Sequence, residues 1–175
     1  MNAPIQNFRR RCSRGFTIIE LLVVVVITGI LAGTGLANYI SAQSKSKVAQ
    51  TKANMHTIQL AAESYGSDTA GWYPSTAADL APYLPGGSNT PGGAAGAWPV
   101  NPFSTSGQSD PPDDRSNITN VVAARSQAAG SLHDTPGKVV YDHGLGTHAY
   151  AIWGCNDNGN SIAGASGKQL VLANQ

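Results

Sequence analysis

Glu20 is the one charged residue in an almost purely apolar run from Phe16 to about Leu36. A carboxylate at the centre of a membrane span costs roughly 2.5–3.5 kcal/mol. Glu20 lies near the start of the run, where the cost is smaller, yet it still calls for a cationic partner. Before the run stand Arg9, Arg10, Arg11 and Arg14, then Gly15. A charge kept in such a place is read first as functional. Other residues that could do chemistry are few. His143, His148 and Cys155 have no common zinc spacing. Cys155 with His143 and Asp142 has the types of a nucleophile and its base, but no nucleophile or oxyanion-hole motif accompanies them. Asn156-Asp157-Asn158-Gly159-Asn160 offers oxygen ligands with one local carboxylate and no EF-hand spacing, so turn formation explains it better. No glycine motif for phosphate is present. The expectation is no catalytic residue, no metal site and no enzyme.

The order of basic leader, Gly15, Phe16 and Glu20 resembles the prepilin signal of type IV pilins and of the pseudopilins of type II secretion systems. The resemblance covers roughly residues 9–36. It implies that a prepilin peptidase cuts between Gly15 and Phe16 and methylates the new Phe16 amine. It also implies assembly into a helical filament through the N-terminal helix, with copies of the chain and minor pilins or pseudopilins as neighbours. An assembly platform protein and an ATPase drive growth in that family. One departure stands out. Many members carry a proline further along this helix, where it bends. This chain has Ala37 near that point, with Gly33 and Gly35 just before it, and glycine loosens a helix by up to about 1 kcal/mol.

A cut after Gly15 gives Glu20 a role. The Phe16 amine, with a reference pKa near ~8, is largely positive at neutral pH. It lies one helical turn from Glu20 in its own chain. In a packed array it could instead meet the Glu20 of a neighbour. A low dielectric strengthens such a pair and makes an unpaired charge costly. Pairing between chains would also fix the axial register of packed helices.

Composition bounds the rest. The 175 residues carry a net charge of +1. Without residues 1–15 the chain holds seven Lys and Arg against ten Asp and Glu, a net of −3. That weak field makes no electrostatic case for nucleic acid. Cys12 lies in the leader, so only Cys155 remains after processing and no internal disulfide can form. Many type IV pilins carry one, so its absence leans towards a pseudopilin. Four arginines before the apolar run, against Lys45, Lys47 and Lys52 after it, favour a cytoplasmic N-terminus. The resemblance implies that the membrane is a bacterial inner membrane and that the remainder is periplasmic or in an extracellular filament. The competing reading is a Sec signal peptide cut after Ala37, leaving an exported or membrane-anchored domain that does not polymerise. The length of the run, Glu20 inside it and the helical continuation beyond Ala37 weigh against it.

These residues must be held by a long helix. From Asn38 to Tyr65 there is neither Pro nor Gly. Val48, Thr51, Met55, Ile58, Ala62 and Tyr65 recur at three- and four-residue steps and trace one apolar stripe. Gly66 reads as the stop. A helix from Phe16 to Tyr65 would be about 75 Å long. Ser75 to Ala81 reads as a short capped helix ended by Pro82 or Pro85. Residues 86–97 and 104–116 read as exposed loops, and 118–129 as a short helix or irregular. Lys138–Tyr141, Ala149–Trp153 and Gln169–Leu172 read as strands. Trp72, Tyr83, Tyr150 and Trp153 are expected to be buried. The fold class is therefore α+β: a long N-terminal α-helix, its first half transmembrane, packed on a small C-terminal antiparallel sheet. The organisation is a leader (1–15), a transmembrane or filament-core helix (16–37), an amphipathic continuation (38–66) and a globular head (67–175). Gly71, Tyr73-Pro74 and the Trp98–Phe103 segment resemble the heads of major pseudopilins. Those heads bind calcium in a C-terminal loop, so calcium is the one cation the resemblance raises.

Overall fold

The computed structural model describes residues 15–90, 93–107 and 109–174. The basic leader with Cys12 therefore lies outside the described residues, apart from Gly15. The described chain has one long helix, α1 (Ile18–Asp68), a 3₁₀ turn (Ala77–Tyr83), a six-residue helix α2 (Val121–Ser126) and four short strands. The strands are β1 (Asp113–Arg115), β2 (Val139–Asp142), β3 (Ala151–Gly154) and β4 (Leu172–Ala173), in the order β1-β2-β3-β4. There are two compact units, one ending at Ser41 and the other beginning at Ala42. α1 contributes residues to both.

In the first unit α1 is apolar on every side, and an 18-residue window of the helix has a mean hydropathy of 2.3. That is long and apolar enough to cross a membrane. Its few polar side chains are satisfied from within. Thr28 Oγ1 donates to Val24 O at 2.8 Å, and Thr34 Oγ1 to Leu31 O at 3.2 Å. A hydroxyl that bonds the preceding turn carries no unmet donor into an apolar surrounding. The helix runs without a break through Gly33, Gly35 and Ala37.

In the second unit the stripe on α1 is the main wall of the core. Thr51, Met55, Ile58 and Ala62 are buried, and Val48 and Tyr65 are half-buried against the same cluster. Opposite them stand Val139, Tyr141, Tyr150 and Ile152. Side chains alternate across a strand, so the next residues along face away from α1. Val140, Ala151 and Trp153 accordingly pack with Ile118, Val121, Ala124 and Val171 in a second core. The sheet is thus covered on both faces, which is why β2 and β3 are buried at every position. Gly154, at the end of β3, faces α1. A Cβ there would stand 2.9 Å from Met55 Sδ and 3.1 Å from Thr51 Cγ2, so the glycine permits the helix its close approach.

Several expectations need correction. The sheet is mixed. β2, β3 and β4 pair antiparallel, but β1 joins the edge parallel to β2. β1 comes from the segment expected to be a loop, and Pro112 just before it is buried. Charge explains its docking: Lys138 Nζ lies 2.7 Å from Asp110 and 3.1 Å from Asp113, and Arg115 lies 2.8 Å from Asp134. The other strands start later than their apolar runs, at Val139, Ala151 and Leu172. Trp72 is 50% exposed rather than buried, its ring tilted against His148 with centroids 4.6 Å apart. Tyr83 is half-buried at the edge of the core, while Tyr150 and Trp153 are fully inside. α1 passes Gly66 and ends at Asp68, because the Tyr73 ring covers the glycine and Gly71 N closes the end on Gly66 O at 2.8 Å. The short helix is a 3₁₀ turn shifted to Ala77–Tyr83, with Pro82 inside it.

Candidate functional site

Glu20 occupies the first turn of α1, in a local motif absent from the expectations above. Thr17-Ile18-Ile19-Glu20 is a Thr-x-x-Glu box immediately before a helix. Thr17 N donates to Glu20 Oε2 at 2.9 Å, and Thr17 Oγ1 donates to the same oxygen at 2.7 Å. Glu20 N returns a bond to Thr17 Oγ1 at 3.3 Å. This reciprocal pair is a capping box. The three-residue spacing of Thr17 and Glu20 is the sequence signal for it. The box satisfies two donors that the start of any helix leaves open, and it sets a carboxylate where the helix dipole favours one. It also fixes where Glu20 points. Both bonds from Thr17 fall on Oε2.

Around the carboxylate the surface is apolar. Phe16, Ile19, Val23 and Val24 line, with Glu20, an open depression of about 350 Å³. Phe16 is 74% exposed and Ile18 87%. From Phe16 to Ile40 nearly every large aliphatic side chain faces outward. Exposed patches larger than a few hundred Å² mark surfaces that meet lipid or protein. Gly15 has nothing within 4 Å of the place a Cβ would take.

The other candidates serve the fold. Asp142 is fully buried, and its carboxylate accepts from the backbone N–H of Asn117, Ile118 and Gly144 at 3.0–3.2 Å. It clamps two loops to β2 and has no histidine on it. Cys155 is buried, and burial pushes its thiol up to about 12, far from a reactive thiolate. His148 lies at the exposed edge against Trp72. Among the described residues no three His, Cys, Asp or Glu gather as a metal set. In the Asn156–Asn160 turn, Asn156 Oδ1 accepts from Asn158 N and Asn160 N, and Asp157 Oδ2 accepts from Ser44 Oγ at 2.7 Å. These bonds make a turn around Gly159, whose φ is +75°, and tie it to α1.

Comparison with known proteins bears on the same segment. The family model for the Prokaryotic N-terminal methylation motif matches residues 10–36. The chain is 43% identical over 64 residues to the type IV major pilin protein PilA of Myxococcus xanthus, a match covering 37% of this chain and 29% of that protein. It is 41% identical over 68 residues to the type II secretion system core protein G of Pseudomonas aeruginosa, and 34% identical over 68 residues to that of Klebsiella michiganensis. Each of these covers 39% of this chain and 47% of the relative. The chain therefore spans between about a third and a half of the length of the curated relatives it matches. No solved structure matches. Part of the chain is thus similar to both pilins and secretion pseudopilins, and the helix and small mixed sheet are an α+β, pilin-like arrangement.

Proposed function

We propose that the protein is a structural subunit of a helical type IV pilus-like filament, polymerised through its N-terminal helix. The observation that carries this is a coincidence of place. The methylation motif on residues 10–36 coincides with a helix whose apolar side chains have no cover of their own. Such a surface needs lipid before assembly and other copies of itself afterwards. Processing between Gly15 and Phe16 gives the mature N-terminus, and the Phe16 amine becomes the cation for a neighbour's Glu20. Glu20 Oε1 is left for that donor while Oε2 is held by Thr17. The subunit waits in the bacterial inner membrane with its N-terminus cytoplasmic, and the rest of the chain enters a periplasmic or extracellular filament. Prepilin peptidase, a platform protein, an assembly ATPase and minor subunits are the partners this reading implies. The single remaining cysteine, which cannot form an internal disulfide, favours a secretion pseudopilus over a pilus.

Cleavage after Ala37 by an ordinary signal peptidase fits less well, because that bond lies inside the unbroken α1. The intact mass of the membrane-extracted protein decides between the two. Loss of residues 1–15 plus one methyl group supports the filament subunit; an N-terminus at Asn38 overturns it. Gly15→Val should leave the precursor uncut, since a branched side chain replaces the small residue at the cut. Normal processing of that variant would remove the assignment.

A further inference from the structure

We infer that two oppositely charged grooves on the second half of α1 form a head-to-tail contact between copies of this chain, one copy's basic groove receiving the acidic groove of the next. The inference rests on the filament reading and adds a second contact, far from Glu20, to it. The basic groove is lined by Lys45 and Lys52, two turns apart on one face, with Val48 and Ala49 as an apolar floor between them. The acidic groove is lined by Glu63 and Asp68, with Ser64 and Ser67 on the same helix.

Among the described residues no ion pair falls on either groove, and the one acid at the basic groove's rim, Asp157, accepts from the Ser44 hydroxyl. Among the described residues, Arg115 and Lys138 are spent on Asp110, Asp113 and Asp134. Lys47 lies over the Phe103 ring, 5.3 Å from its centroid. Among the described residues Lys52 donates to the neutral Ala163 carbonyl at 3.2 Å, and neither Lys45 nor Lys52 is in an ion pair. On the acidic side, Glu63 accepts from Tyr150 Oη at 2.5 Å and Tyr73 Oη at 3.1 Å, and Asp68 accepts from Asn89 Nδ2. These are neutral donors. They hold the carboxylates in place and leave the negative charge for an outside cation.

The geometry makes the contact directional. The two grooves are centred about 25 Å apart along the helix, from its rise of 1.5 Å per residue. A surface that pairs with a different surface of an identical copy is heterologous, and repetition builds an open array rather than a closed dimer. Opposite charge steers the approach and penalises the wrong register, where like groove would meet like.

Charge reversal tests this in cells producing the full chain. Lys45→Glu should lower sheared-filament yield at least tenfold while processed subunit stays in the membrane, and Asp68→Lys should do the same. The double variant should recover to within about threefold of the parent. Singles that assemble at the parent's level, or a double no better than either single, overturn the contact. A second readout uses two co-produced copies, one carrying Ala49→Cys and the other Ser67→Cys, both exposed positions. A 49–67 crosslink between copies, lost on Lys45→Glu and regained in the double, is expected. Dominant 49–49 or 67–67 products overturn it. Filaments without the 49–67 crosslink sink this contact alone; processed subunit that never polymerises sinks the filament reading itself.

Discussion

The two halves of α1 solve the same problem in opposite ways. Between Ile18 and Ile40 the large side chains of the helix are aliphatic or aromatic and exposed among the described residues. Between Thr51 and Ala62 one stripe is apolar and the sheet covers it. Among the described residues the first half is exposed, whereas the stripe on the second half packs on the sheet of the same chain. A helix apolar on all sides belongs in lipid or in a bundle, whereas a helix with one apolar face belongs on a globular core. One continuous helix thus carries an exposed apolar stretch and a core-forming stripe. A change in one should leave the other intact.

The sharpest test of that separation is Glu20→Ala. It should abolish sheared filaments, because each incoming Phe16 amine loses its carboxylate, while the processed subunit remains in the membrane and the head keeps its fold. Breaking the capping box frays only the first turn. Wild-type filament yield from the processed variant would leave Glu20 as a tolerated charge and erase the difference between the halves.

Trp153→Ala probes the other side. Trp153 fills the core between the sheet and α2. Its removal should destabilise the head by about 3–5 kcal/mol, seen as a lower midpoint in urea unfolding of the detergent-extracted protein. Membrane insertion should be unaffected. A loss of insertion together with the head's fold would mean that the halves are not independent.

Tyr150→Phe is milder. Burial and the Glu63 carboxylate hold the Tyr150 hydroxyl well above the usual tyrosine range, so it remains a donor. Deleting it removes one hydrogen bond to a charged group, about 1.5–3 kcal/mol. Urea midpoints of the variant and parent measure it, and no difference would show that the Glu63 bond adds nothing to the head.

The smallest effect is at Cys155. Burial, reinforced by the Asp134 charge, raises its thiol from 9.0 to about 12. The protonated form is favoured in the fold, so its contribution is full below the unfolded value and drains away as pH rises towards about 12. At pH 8 the native head should resist iodoacetamide, and the urea-unfolded chain should be alkylated at Cys155. Rapid labelling of native protein would show that the second core is open.

Much of this was legible from residue types. The apolar run, Gly15, Phe16 and Glu20 stand in one local register, and local register needs no tertiary partner to be read. The stripe from Val48 to Tyr65 follows from helical periodicity for the same reason. Even the Thr17–Glu20 box lay in plain view at its three-residue spacing. What only the tertiary structure decided depends on residues distant in sequence. β1 forms because Lys138 and β2 draw in an acidic segment that has no strand pattern of its own. α1 outruns Gly66 because the Tyr73 ring packs there. Trp72 stays at the surface because Met55, Ile58, Tyr141 and Tyr150 already fill the core. The sequence alone settles where a helix is apolar and where it is charged; which of those surfaces finds cover within the chain is settled only when the chain packs.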